Sequence, residues 1–237
     1  VRAWELIQEE KITTGLAVPA MLNFMVQVPY EQYDYSSMRW MMTGAAPVPA
    51  AMTRQYHEMG IGLLQVYGLT ETCGPACLMD PENALRKPES TGRAFFHTEI
   101  RIVGEDGQTC APGEAGEVWV KGAHIMVEYW NRPDATAETI TSDGWLRTGD
   151  RGRIDEDGYL FLTGRSAELI ISGGVNIYPQ EIDSELLKHS AVADVCTIGI
   201  PNDEWGEEVL TVVQLNPTFT PSNDLSDELI NWAREKL

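Results

Sequence analysis

The run Gly144-Trp145-Leu146-Arg147-Thr148-Gly149-Asp150 is followed by Arg153-Ile154, Asp155-Glu156-Asp157-Gly158, Tyr159-Leu160-Phe161-Leu162 and Gly164-Arg165. Through Glu168 it leads into Leu169-Ile170-Ile171-Ser172-Gly173-Gly174-Val175-Asn176-Ile177-Tyr178-Pro179-Gln180-Glu181-Ile182. Arg153-Ile154 and Tyr159 to Leu162 read as the two strands of a hairpin, because the Asp-Gly pair between them supplies the positive φ of a tight reversal. Asp150 and Arg165 each follow a Thr-Gly bend. The spacing therefore predicts that both side chains leave strand ends, where loops carry chemistry on a fixed scaffold. An acceptor and a donor then converge, as a vicinal diol requires.

At 237 residues and 43% hydrophobic, the chain can bury a sizeable core and is globular, with length for one or two domains. No apolar run approaches the roughly 20 residues that span a bilayer, and no signal-peptide pattern opens the chain. The expectation is a soluble cytoplasmic protein, with peripheral membrane association and oligomeric state left open. A formal charge of −19 argues against nucleic acid, whose binding relies on clustered Lys and Arg. An anionic nucleotide would have to be met locally, by Mg²⁺, backbone N–H groups and a few arginines such as Arg165. Cys73, Cys77, Cys110 and Cys196 are too scattered for a disulfide framework. Cys73 and Cys77 have metal half-site spacing without a second pair, so reduced thiols are expected.

Residues 1–90 alternate short apolar runs with helical patterns, as in a parallel sheet covered by helices. Strands are expected at Thr13 to Val18, Ser37 to Thr43 and Gly62 to Tyr67, and helices from Pro19 and over Pro49 to Met59. The strand ends carry Gly44-Ala45-Ala46-Pro47 and Tyr67-Gly68-Leu69-Thr70-Glu71. Ligands of open α/β sheets sit beyond such ends, although each glycine alone could simply make a turn. Residues 91–166 turn to β texture, with alternation at Glu99 to Val103 and Glu117 to Lys121, and predict a small barrel or sandwich. Trp119, Trp130 and Trp145 read as packing residues, since no basic residues interleave with them.

Residues 167–237 read as a small α+β domain. A reversal at Ser172-Gly173-Gly174-Val175 precedes a helix opened by Pro179, with Glu181 and Asp183 in its first turn. Strands follow at Val192 to Ile200 and Val209 to Leu215, with a bend starting at Pro201-Asn202-Asp203. Leu225, Leu229, Trp232 and Ala233 then share one helical face.

A threonine hydroxyl beside backbone N–H groups can hold a phosphate oxygen, and a carboxylate one residue on can hold Mg²⁺. Thr70-Glu71 has this order, though such a pair can equally be a solvated helix start. Asp150 can likewise be a turn carboxylate, Arg165 a surface ion pair, and Gly173-Gly174 a plain turn. His57, His97, His124 and His189 show no triad or metal spacing.

Taken in order, these motifs, with Gly116-Glu117-Val118-Trp119-Val120-Lys121-Gly122, resemble the adenylate-forming (AMP-binding) superfamily and, within it, the fatty acyl-CoA synthetases of the acid-CoA ligase branch. The resemblance implies an α/β plus β plus α+β organisation. Residues 1–90 would be the α/β subdomain and 91–166 the β-barrel-like subdomain of a large adenylating domain, and 167–237 a small mobile C-terminal domain. It implies that Thr70 contacts the α-phosphate of ATP, Glu71 binds Mg²⁺, and Tyr67 and Gly68 lie at the nucleotide with Tyr67 against adenine. Gly44, Ala45 and Ala46 would line the opposite side and the mouth of the acyl pocket. Asp150 would accept from both ribose hydroxyls and Arg165 would support the same sugar. Glu168 would mark the hinge, where the family usually has Asp or Lys. Gly173 and Gly174 would give the pantetheine arm of CoA close passage along the backbone.

The implied reaction attacks the α-phosphate of MgATP with a carboxylate, giving acyl-AMP and pyrophosphate, and then displaces AMP with the CoA thiolate. The chain starts and stops inside helical patterns, so an internal fragment is expected. The family's phosphate-loop lysine would then precede Val1 and its adenylation lysine follow Leu237, and the fragment by itself would be inactive. The alternatives are an adenylating relative with another acceptor, such as a peptide-synthetase adenylation domain or a luciferase, and a non-catalytic nucleotide- or acyl-binding module.

Overall fold

Proline at the first helical position has no N–H to leave unpaired and a φ already suited to a helix, and it opens three helices here: Pro19–Val26, Pro133–Thr139 and Pro179–Leu186. The computed structural model describes all residues except Pro47, Ser166, Ala167 and Asp203. It divides into two compact units, one of residues 1–148 and 153–162, the other of 149–152 and 163–237.

In the first unit, β1 (Thr14–Leu16), β2 (Trp40–Gly44) and β3 (Gly62–Tyr67) pair in parallel. The helices α1 (Arg2–Glu10), α2 (Pro19–Val26) and α3 (Ala50–Glu58) precede or connect them. Buried Trp4, Ile7, Leu22, Met25, Tyr56 and Leu63 form one cluster. The polar ends of its large aromatics are satisfied, because Trp4 Nε1 donates to the Met25 carbonyl at 2.8 Å and Tyr56 Oη to the Leu22 carbonyl at 2.9 Å. The sheet is mixed, since β4 (Cys77–Leu78) and β5 (Arg93–Ala94) add antiparallel strands beyond β3. Strand β2 starts at Trp40 and not at the expected Ser37. Ser37 Oγ is spent on the Ile12 carbonyl, and the Arg39 amide on Thr13.

A second sheet runs in the order β6 (Thr98–Val103), β7 (Gly116–Gly122), β8 (Leu146–Ile154) and β9 (Leu160–Arg165), with α4 (Pro133–Thr139) between β7 and β8. The predicted turn is present: Gly158 has φ +83°, and Asp155 accepts from the Asp157 and Tyr159 amides. Of the barrel or sandwich expected here, the described residues form one sheet whose end strands β6 and β9 do not pair with each other. The edge of β9 is taken instead by the segment before β5, where Leu160 N donates to Gly92 O and Thr91 N to Leu160 O, both at 2.9 Å. Trp130 corrects the packing expectation, being 83% exposed. Basic residues also meet the other two tryptophans from neighbouring strands. Arg101 lies 4.0 Å from the Trp145 ring centre and 4.8 Å from that of Trp119.

The second unit carries a sheet ordered β11-β10-β13-β12, from β10 (Ile170–Ser172), β11 (Val175–Ile177), β12 (Val192–Asn202) and β13 (Gly206–Leu215). The helices α5 (Pro179–Leu186) and α6 (Asn223–Lys236) pack through Leu186, Val192 and Leu229, with Leu225, Trp232 and Ala233 against them as the periodicity predicts. The Ser222 side chain caps α6 through the Leu225 amide at 3.1 Å. Strand β12 continues through Pro201, which an edge strand tolerates. The turn then forms from the Asn202 side chain, which accepts from the Glu204 and Trp205 amides; Asp203 lies outside the described residues.

Two outcomes follow from this packing. Gly92 has φ +97°, and a β-carbon there would lie 2.1 Å from the Leu78 carbonyl. Gly92→Ala is expected to cost at least about 2 kcal/mol in urea unfolding. Burial raises the Asp183 carboxyl above its ordinary pKa, and its Oδ1 is buried with no partner. A raised folded pKa means that the native state holds the proton more tightly. Stability is then fullest below the ordinary aspartate range and is lost as pH rises through the folded value. Asp183→Asn is expected to melt above wild type near neutral pH, with the gap closing towards low pH.

Candidate active site

Register brings the two strand ends of the first sheet together, because Gly44 at the end of β2 pairs with Val66 near the end of β3. A β-carbon on Gly44 would lie 2.2 Å from the Val66 carbonyl, so this glycine serves the strand approach itself. Ala45 follows with φ +67°, a left-handed conformation unusual for alanine at the ligand edge of a parallel sheet. Ala45 and Ala46 are exposed, and Pro47 lies outside the described residues. Tyr67 is buried in the cluster of Ala76, Cys77, Ile102, Val118, Val120 and Leu160.

Thr70–Thr72 forms a short 3-10 turn. Gly68 permits the loop to fold back, since a β-carbon there would lie 2.4 Å from the Gly74 carbonyl. Buried Thr72 locks the turn, its Oγ1 accepting from the Leu69 amide at 2.9 Å and lying 2.6 Å from the Gly74 carbonyl. Thr70 is left exposed. Glu71 is half-buried; its backbone carbonyl accepts from the Met126 amide at 2.8 Å and its Oε1 from the Tyr129 hydroxyl at 2.7 Å. The Glu71 hydrogen bond and then burial raise the Tyr129 phenol above its ordinary pKa.

No group of three or more His, Cys, Asp or Glu that could hold a metal occurs among the described residues. A lone carboxylate beside an exposed hydroxyl suits Mg²⁺, which keeps several waters and takes its remaining ligands from substrate phosphates. The Cys73–Cys77 pair does not suit a metal, because burial pushes the Cys77 thiol up to about 12, away from the thiolate that a metal needs.

In the second unit, Arg165 Nε donates to Asp150 Oδ1 at 2.9 Å, so the predicted donor and acceptor do meet. Their placement differs from the expectation. Arg165 ends β9, but Asp150 stands inside β8, because the strand runs on through Gly149 with its φ of +72°. Asp150 is 4% exposed. Glu168 is exposed, while Ser166 and Ala167 before it lie outside the described residues.

Gly173 and Gly174 form the two-residue loop of the β10–β11 hairpin, with Ser172 opposite Val175 and φ values of +57° and +82°. Their surroundings differ. A β-carbon on Gly173 would lie 2.7 Å from the Trp205 ring, and the Gly173 amide donates to the Trp205 carbonyl at 2.8 Å. Around Gly174 there is open space. Gly174→Ala should therefore lose only about 1–2 kcal/mol of stability, the cost of left-handed strain, and Gly173→Ala distinctly more, as urea unfolding of the two variants would measure.

Sequence reasoning missed Thr72, Tyr129 and Trp205. Thr72 is hidden behind the more suggestive Thr70-Glu71. Tyr129 lies 58 positions from its partner, and its signal in the sequence is the aromatic doublet it forms with Trp130. Trp205 contacts the glycine loop through a sheet register that no local pattern encodes.

Residues 1–130 match the model of the AMP-binding enzyme family, and residues 181–237 that of the AMP-binding enzyme C-terminal domain. A long-chain-fatty-acid–CoA ligase of Mycobacterium tuberculosis is 43% identical over 230 residues, covering 97% of this chain and 44% of that protein. The o-succinylbenzoate CoA synthetase of Bacillus subtilis, solved with an acyl-adenylate intermediate, superposes with a TM-score of 0.86 at 35% identity, over all of this chain and 47% of the other. The amide bond synthetase McbA of Marinactinospora thermotolerans superposes with a TM-score of 0.91 at 31% identity, over all of this chain and 48% of the other. The chain thus spans less than half the length of these relatives. Two family models in order, and likeness along its whole length, make this chain a member of the AMP-binding enzyme family.

Proposed function

We propose that the protein carrying this chain is an acid–thiol ligase, which activates a carboxylic acid, a fatty acid in the favoured reading, as acyl-AMP with MgATP and passes the acyl group to CoA. The observation that carries the proposal is the Thr70–Thr72 turn at the carboxyl edge of the parallel strands, where an exposed hydroxyl adjoins the tethered Glu71 carboxylate. In this reading Thr70 meets the α-phosphate, and Glu71 meets the Mg²⁺ that offsets charge on the triphosphate. Tyr67 and Gly68 form the adenine side, and Gly44, Ala45 and Ala46 the opposite wall. Asp150 accepts from the ribose hydroxyls and Arg165 steadies that carboxylate, supported by their 2.9 Å bond. Glu168 is assigned to the hinge of a small domain beginning at residue 167, and the reaction to the cytoplasm. The relatives support the ligase chemistry by name and also argue for breadth in the acid, since one is named for long-chain fatty acids and another for o-succinylbenzoate.

McbA supports a second reading, in which an amine replaces CoA as the acceptor. The acceptor half of the site decides between them, and Gly174 is its most testable element. A leucine there would project a branched side chain into the open space beside the loop, where pantetheine is proposed to pass. In the full-length protein, Gly174→Leu is expected to keep single-turnover formation of acyl-AMP and pyrophosphate. It should slow acyl-CoA formation at least about tenfold, ~1.4 kcal/mol of barrier. Gly174→Ala carries the same backbone strain without the bulk and is expected to keep both steps. Equal loss of acyl-AMP and acyl-CoA in the leucine variant would remove the loop from the CoA path, and transfer to an amine but not to CoA would favour the second reading.

A further inference from the structure

Glu71 Oε1 accepts the Tyr129 hydroxyl at 2.7 Å, and among the described residues no side chain or amide bonds to Oε2. A hydroxyl that donates to an ionised carboxylate makes a charge-assisted bond, about twice as strong as a neutral one. Such a bond fixes one oxygen of the carboxylate and limits rotation of the other. The tyrosine is itself anchored. Its amide donates to Thr136 Oγ1 at 3.0 Å, and Thr136 Oγ1 donates to the Arg132 carbonyl at 2.9 Å across the first turn of α4. The Met126 amide bonds to the Glu71 carbonyl, so backbone and side chain of Glu71 are both held by the segment leading into α4.

Mg²⁺ demands near-ideal octahedral geometry, and partners that orient a ligating carboxylate govern affinity nearly as strongly as the ligand does. We propose that Tyr129 is the positioning residue for Glu71: its hydroxyl occupies Oε1 and presents Oε2 to a nucleotide-bound divalent cation, and α4 holds it there through Thr136. The inference rests on the reading of Glu71 as the cation ligand.

The test is binding of ATP to the full-length protein, without acid or CoA, followed by calorimetry over a range of Mg²⁺ concentrations. Tyr129→Phe is expected to raise the Mg²⁺ concentration at half-maximal nucleotide binding about tenfold, with affinity restored at saturating Mg²⁺. Thr136→Val keeps the phenol but loosens its anchor. It is expected to shift the midpoint the same way by less, and offers a second route if the phenylalanine variant folds poorly. Glu71→Gln is expected to raise the Mg²⁺ midpoint further than Tyr129→Phe does. A normal midpoint in Tyr129→Phe beside a defective Glu71→Gln would overturn the role of Tyr129 while keeping that of Glu71. Normal Mg²⁺ dependence in Glu71→Gln would overturn the reading of Glu71 itself. A loss in Tyr129→Phe that Mg²⁺ does not restore, with a lowered melting temperature, would make the tyrosine a structural pin and sink the proposal.

Discussion

The parallel pairing of β2 with β3, from Trp40 opposite Gly62 to Gly44 opposite Val66, is the constraint on which the first unit depends. It places two loops at one edge of the sheet, and it is enforced from both sides. Met41 and Leu63 bury into the helical layer, so a one-residue slip would turn the β2 and β3 side chains to the opposite faces. At the far end, Gly44 lies too close to Val66 for any side chain, so the strand can end there only with glycine. The chain leaves this contact through Ala45, at a positive φ that alanine adopts at a cost.

Local chemistry made much of the fold readable. Pro19 and Pro179 start helices, Asp157-Gly158 turns the hairpin, and β3 occupies the predicted Gly62–Tyr67. The reading failed where a decision belonged to a distant partner. Ser37 to Arg39 look like strand but are drawn off by Ile12 and Thr13. The β-rich region reads equally as a barrel or a sandwich, and the pairing of Thr91 and Gly92 with the edge of β9 is visible only in the fold. Arg101 reaches Trp119 and Trp145 across strands, an interleaving that the linear order conceals. At the candidate site, the pairing of Asp150 with Arg165 was legible because each follows its own Thr-Gly. The strand that runs through Asp150 was not, because a glycine with positive φ breaks a pattern on paper without breaking the ladder.

The glycines show how function and packing share a motif. Gly68 and Gly44 are explained by backbone approach alone, and Gly173 by the Trp205 ring above it. Gly174 differs, having positive φ and nothing within 4 Å. A turn of this type asks for glycine or asparagine at both central positions, so Gly174 has a sufficient structural cause, and any ligand role must be shown by bulk and not by strain. This is why alanine and leucine at that one position carry separate information.

Electrostatics sets the order of events that the site can support. With a net charge of −19, the chain draws cations towards itself and repels a bare triphosphate. Yet the described residues offer no cluster of three acidic, His or Cys ligands that would hold a divalent ion unaided. One carboxylate such as that of Glu71 is only a partial coordination shell for an octahedral ion. The remaining positions must come from water and phosphate oxygens. In the proposed reading, a cation would therefore gain from this site chiefly by arriving with its nucleotide, and the nucleotide would gain because the metal removes charge that the acidic chain repels. On the same proposal, tethering Glu71 would serve selectivity more than raw affinity: a rigid single ligand favours a small, geometrically strict ion on a correctly seated phosphate over loose adsorption of either one alone.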